Sequence, residues 1–178
     1  ISAMSCNPAI GGIGKGQIVR EIDALGGAMG RAIDASGIQF RMLNRSKGPA
    51  MHGPRAQADK AAYHRAMRQI CESQRGLELI EATVDDLVVE PAGANPRVVG
   101  VRAADSTFHR ASAAVLAAGT FLRGMLHYGQ EQKPGGREGE PANTGLSDAL
   151  RRLGFEVARF KTGTPPRLDG RTIDYAKT

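Results

Sequence analysis

"SCNPAIGGIGKG", residues 5–16, is the stretch whose reading decides the fold. Four glycines and a lysine fall within six positions, 11–16, shortly after Ser5, Cys6, Asn7 and Pro8. Downstream, Ile18, Ile22, Leu25, Met29 and Ile33 recur at spacings of three or four. That is one stripe of an amphipathic helix, and Gly26-Gly27 interrupts it. The quoted stretch is therefore a glycine-rich loop opening onto a helix N-terminus, where backbone N–H groups uncrowded by Cβ suit an anionic or flat ligand. Two phosphate motifs are excluded. A Walker loop needs G-x-x-x-x-G-K-[ST], whereas Lys15 is followed by Gly16 and Ala9 stands where the first glycine should be. The glycines at 12, 14 and 16 are spaced G-x-G-x-G with no strand before them, so the dinucleotide fingerprint also fails. Cys6 has two readings. The helix field and Lys15 would favour a reactive thiolate, while a small buried thiol would simply lock the turn.

The chain has 178 residues, 41% hydrophobic and 24% charged, as expected of a globular protein rather than a disordered one. Two cysteines, Cys6 and Cys71, form no C-x-x-C or Cys/His cluster, so neither a metal site nor a disulfide framework is expected. His52, His64, His109 and His127 share no spacing. No apolar run approaches the ~18 residues of a membrane span, and no leader opens the chain, so a cytoplasmic protein without a membrane partner is expected. Because residue 1 is Ile, the chain is expected to be a piece of a longer protein. Its net charge of +6 is local: seven of 24 basic residues but one of 18 acidic ones, Asp59, lie between positions 41 and 68. This window suits a polyanion, or is a solvated face.

Along the chain, Gly53-Pro54 is expected to open a second helix with the stripe Ala58, Ala62, Ala66, Ile70, closed by Gly76. Strands are expected at 77–80, 84–89, 97–102 and 107–110. "AAVLAAGTF", residues 113–121, reads as a buried parallel strand whose Gly-Thr end approaches a ligand. A Pro/Gly-rich loop over 133–143 precedes a short helix capped by Thr144, carrying Leu146, Leu150 and Leu153 and closed by Gly154. A strand over 155–160 leads to "KTGTPPR", residues 161–167, where Lys161, Thr162 and Arg167 either bind an anion or belong to a rigid turn.

Four strings together, "MSCNPAIGGIGKGQIVREIDALGG", "LNRSKGPAMHGPRAQADKAAYHRAM", "LAAGTFLRGM" and "KTGTPPRLDGRTID", resemble the tRNA uridine 5-carboxymethylaminomethyl modification enzymes, the MnmG or GidA family. The resemblance runs in order from Met4 to Asp174. It implies an α/β fold, an FAD/NAD(P)-binding Rossmann-like flavoprotein domain of the glutathione-reductase type, here partial and lacking its N-terminal βαβ strand and glycine turn. Residues 1–123 would belong to that domain and residues 124–178 would begin the next.

The implied activity, with the GTPase MnmE, is modification of the wobble uridine of tRNA. It would use FAD, NADH, methylenetetrahydrofolate and glycine or ammonium, in a full-length homodimer. Cys6 would be the candidate catalytic residue. The cofactor would lie against Ser5, Asn7, Pro8, Gly11, Gly12 and Gly14, with Val84 by the adenine end and Ala118, Gly119 and Thr120 closing the fold. Arg45, Lys47, Arg55 and Lys60 would contact RNA. The piece alone is expected to be inactive and to bind FAD poorly. The alternatives are a folate- and FAD-dependent tRNA uridine-5-methyltransferase and a non-catalytic RNA-binding module.

Overall fold

The computed structural model describes residues 1–178 apart from Ser5, Ala94, 165–167 and Thr178. Arg167 and the proline pair before it thus lie outside the described residues. The chain forms two compact units, residues 1–79 with 162–178, and residues 80–161. The boundary expected near Arg123 falls inside the second of these.

In the first unit, β1 (Ala9–Gly11), β3 (Gly53–Ala58) and β2 (Gly37–Leu43) make an antiparallel sheet in the order β1-β3-β2. The glycine loop leads into α1 (Lys15–Ala24), and Gly26-Gly27 breaks the apolar stripe before α2 (Ala28–Ser36), as the sequence indicates. Gly26 takes a left-handed φ of 83° there. α3 (Lys60–Glu72) follows β3 directly. The helix expected from Gly53-Pro54 is a strand instead. Pro54 sits at its start, and Ala56 and Ala58 alternate with Arg55 and Gln57 at the strand period of two. The helix begins at Asp59, whose carboxylate accepts the Ala62 N–H at 2.8 Å as an N-cap. Ala58, placed by the sequence on the helix stripe, is buried one residue ahead of the cap. The core packs Ala32 and Ile33 of α2 against Ala56 and Ala58 of β3 and Tyr63 of α3. Three of these five are alanines, so helix backbones can approach the sheet closely. Burial raises the Tyr63 phenol above its ordinary pKa.

The second unit holds an antiparallel sheet in the order β4 (Val84–Glu90), β5 (Arg97–Ala103), β6 (Phe108–Arg110). A hairpin, β7 (Met125–Tyr128) with β8 (Glu131–Pro134), stands apart from it. The sequence reading caught the first three strands and missed the hairpin. Strands expected at 77–80, 113–121 and 155–160 do not form, because no described strand offers those segments a ladder. Val115 is 94% exposed and Phe160 97%. Every ladder between the named strands is antiparallel, where a parallel strand was expected at 113–121; the isolated bridge between Leu122 and Asn143 is parallel.

α4 (Gly145–Arg152) buries Leu146, Ser147 and Ala149. Gly154, with φ 86°, follows its end. Thr144 precedes the helix but makes no side-chain cap; the side-chain Oδ1 of Asn143 accepts the Leu146 N–H at 2.9 Å instead. Asn143 also donates from Nδ2 to the Val84 carbonyl at 2.8 Å and to Asp85 at 3.1 Å.

Arg123 makes two bonds to the carboxylate of Asp148 on α4, at 2.5 and 2.8 Å. The hydrogen bond from Arg123 holds that carboxyl below its ordinary range, with the charges of Arg123 and Arg151 adding to it. A carboxylate whose folded-state pKa is depressed contributes stability that is complete above its unfolded pKa, about 3.9, and is lost as pH falls through the lower folded value. Amide exchange over 145–152 in the full-length protein should therefore be pH-independent in its protection factor above about pH 5. It should lose protection below about pH 4, and Asp148→Asn should abolish that acid limb.

Candidate functional site

The glycine loop is shaped by one neighbour, the start of β3. The Gly12 N–H donates to the Pro54 carbonyl at 2.8 Å. A Cβ on Gly11 would collide with that same carbonyl, and one on Gly16 would lie 2.6 Å from it. Gly53 reciprocates, with room for only 3.0 Å to the Gly12 carbonyl. These glycines are there for a backbone-on-backbone approach. Gly14 differs: its φ is 71°, nothing lies within 4 Å of its Cβ position, and it caps α1 with no side-chain hydrogen bond, the Gly16 N–H donating to the Gly12 carbonyl at 2.6 Å. Gly12, at φ 104°, has only the Arg55 side chain at 4.0 Å. Gly12 and Gly14 thus form the open side of the loop.

A second layer pins this loop to the segment after β2. Gln17, in the first turns of α1, donates from Nε2 to the carbonyls of Ala50 and His52, each at 3.4 Å. The His52 ring lies 3.2 Å from the Arg45 carbonyl. Between them run two short 3₁₀ turns, Arg45–Lys47 and Pro49–Met51, separated by Gly48 at φ 87°.

The sheet carries the rest. Its inner face holds Ala56 and Ala58 against the helices, so Arg55 and Gln57 project from the outer face. There Asn7 accepts a bond from Gln57 Nε2 at 3.2 Å, and Arg41 stands opposite Arg55. Cys6, half-buried, directs its Sγ to the carbonyl of Gly163 at 3.5 Å. The opening motif and the closing "KTGTPPR" segment, 157 residues apart, therefore meet in one unit.

Of the residues expected to act together, Cys6, Asn7, Pro8, Gly11, Gly12, Gly14 and Arg55 lie in the first unit around β1 and β3; Ser5 lies outside the described residues. Lys60 is separated from Arg55 by the end of β3 and sits at the start of α3. Arg45 and Lys47 lie on the exposed turn after β2. The seven-residue basic window is thus divided among a sheet face, a turn and a helix.

In the second unit, Val84 pairs with Ala103, and Gly119 turns at φ 58° with open space about it. Thr120 Oγ1 donates to the Gly136 carbonyl at 2.5 Å, so the Pro/Gly-rich loop holds that turn. Within that loop the hydrogen bond from Arg137 lowers the Glu140 carboxyl. Among the described residues no cluster of three or more His, Cys, Asp or Glu could hold a metal, and no helix is long and apolar enough to cross a membrane.

Gln17, Gln57 and Gly163 were missed by sequence reasoning, and Arg41 was read only as part of the basic window. The alternation in "GPRAQA" was visible and would have placed Arg55 and Gln57 on one face, had Gly-Pro not drawn the segment into a helix. The contact with Gly163 has no local signal at all.

The whole chain, residues 1–178, matches the family model "Glucose inhibited division protein A". It is 57% identical, over 99% of its length, to a Rhodopirellula baltica protein described as tRNA uridine 5-carboxymethylaminomethyl modification enzyme MnmG. An Aquifex aeolicus protein of the same description is 54% identical over 99% of the chain. In both cases the chain spans 28% of the relative's own length. The crystal structure of Aquifex aeolicus GidA, form II, superposes with a TM-score of 0.88 at 54% identity, covering 98% of this chain and 28% of that one.

The two kinds of glycine should separate on mutation. In the full-length protein, Gly14→Ala should destabilise through backbone strain alone, because φ 71° with ψ −49° lies outside the regions an L-residue readily adopts. Gly11→Ala adds a collision with Pro54 and should cost clearly more, as read from urea midpoints of the two variants.

Proposed function

The chain belongs to the glucose-inhibited division protein A family, and from that premise we propose that it is part of an FAD-dependent enzyme installing the 5-carboxymethylaminomethyl group on the wobble uridine of tRNA. The observation that carries the proposal is the meeting of two motif segments distant in sequence, Cys6 against Gly163, beside a glycine loop with an open face. The residues present fit a flavin. Gly12 and Gly14 leave space that any Cβ would narrow, no side chain caps the start of α1, and Asn7 stands alongside. FAD, when bound, would supply two-electron redox chemistry.

This chain's own residues would do the rest. The loop amides would approach the ring and its polyol, Gln17 would keep the loop against the segment after β2, and the Gly163 carbonyl would orient the Cys6 thiol. The finer fold, a partial Rossmann-like domain of the glutathione-reductase type spanning 1–123 with a following domain from 124, rests on the family membership. Val84 and Ala118–Thr120 would then serve the cofactor's other end. NADH and methylenetetrahydrofolate as co-substrates, the MnmE GTPase as partner, a homodimer and a cytoplasmic location complete the proposal.

Nucleoside analysis of tRNA from a deletion strain tests it: the 5-carboxymethylaminomethyl group should vanish from the wobble position and return with the full-length gene. Loss of 5-methyluridine instead would assign the methyltransferase activity, and no change in either would leave RNA binding alone. In the same strain Cys6→Ser keeps a donor toward Gly163, so the protein should fold and hold FAD while restoring less than about a tenth of the modification. Wild-type levels would make Cys6 a packing residue.

A further inference from the structure

Arg41 of β2 and Arg55 of β3 are direct partners in the ladder between those strands. Cross-strand partners share a face, with Cβ atoms about 4.5–5.5 Å apart, and like charges so placed destabilise a sheet. Among the described residues neither guanidinium is in an ion pair, although Arg68, Arg123 and Arg152 each find an acid nearby. The third member of the row is Gly11, and the Arg55 side chain lies against Gly12, so the pair borders the glycine loop. α1 then begins with Lys15 and has no acidic residue in its first turn. On the other side, a shallow groove of about 580 Å³ follows Phe40 to Ser46, carrying the positive charge from Arg41 to Arg45 and on to the turn with Lys47.

We infer that Arg41 and Arg55 form a clamp for a phosphodiester of the RNA substrate, with the strand of phosphates continuing along the groove toward Arg45. The inference rests on the tRNA reading above. Two adjacent guanidinium forks match the oxygens of one tetrahedral anion, and binding it would convert a repulsive pair into a bridged one. A single small anion would use the pair alone. The line of cations along an open-sided groove suits a chain of phosphates instead. Arg65, on α3, belongs to the same stretch of sequence but to an element packed on the opposite face of the sheet.

The test uses the full-length holoenzyme and its tRNA, titrated at several salt concentrations. Arg41→Gln with Arg55→Gln should reduce the slope of log K against log salt by about 1.4 to 1.8, two contacts at about 0.7 to 0.9 each. Flavin content should stay at the wild-type level, and Tm should hold or rise as the repulsion is removed. The charge-matched control, Arg65→Gln on α3 with Arg75→Gln in the exposed turn after it, should leave the slope unchanged. An unchanged slope in the first variant, an equal fall in the control, or loss of flavin with the slope intact would each overturn the clamp. If the wild-type enzyme binds tRNA without salt dependence, or not at all, the tRNA reading falls together with the clamp.

Discussion

The first unit is built around the carbonyl of Pro54. It accepts the N–H of Gly12 and comes so close to Gly11 and Gly16 that neither position has room for a side chain. One oxygen at the start of β3 thereby fixes the exit of β1, the turn behind it and the first turn of α1. Two of the loop's four glycines are consumed by this contact, and only the other two leave an open surface. A glycine-rich sequence at a helix start combines two demands, and the structure assigns each glycine to one of them.

The same strand joins stability to function. Ala56 and Ala58 form the core with Ala32, Ile33 and Tyr63, while Arg55 and Gln57, the intervening residues, carry the polar face. A one-residue slip of β3 would exchange these sets, burying an arginine and exposing the core. Its neighbours resist such a slip. Ala58 donates to the Pro8 carbonyl at 2.7 Å and Asp59 to that of Ser36 at 2.8 Å, fastening the end of the strand to both β1 and α2. The precision of the outer face is thus inherited from the packing of the inner one.

Local signals were legible wherever the physics was local. The break between α1 and α2 follows from Gly26-Gly27, and β4, β5 and β6 follow from apolar runs bounded by turn residues. Helix α4 was found, although its cap was assigned to Thr144 rather than its neighbour Asn143. Reading failed where pairing partners decide. An apolar run such as 113–121 carries the composition of a strand, but a ladder needs a second strand, and composition does not supply one. At β3 the turn chemistry of Gly-Pro outweighed a clear two-residue alternation. For the site, the glycine loop and Cys6 announced themselves, whereas the approach of Gly163 and the opposition of Arg41 and Arg55 exist only after the chain has folded. The basic window illustrates the same limit: seven residues adjacent in sequence end on three different surfaces.

Asn143 gives the second unit a chemical age. Its amide nitrogen donates to the Val84 carbonyl and to Asp85, while its oxygen caps α4. Hydrolysis of that amide to a carboxylate would retain the cap but turn the donor into an oxygen facing two other oxygens, one of them charged. A change of one mass unit would set β4 and the start of α4 in repulsion, where Gly145 already brings their backbones into contact. The unit would record slow deamidation as a loosening of its only described α-helix, long before any change in composition became visible.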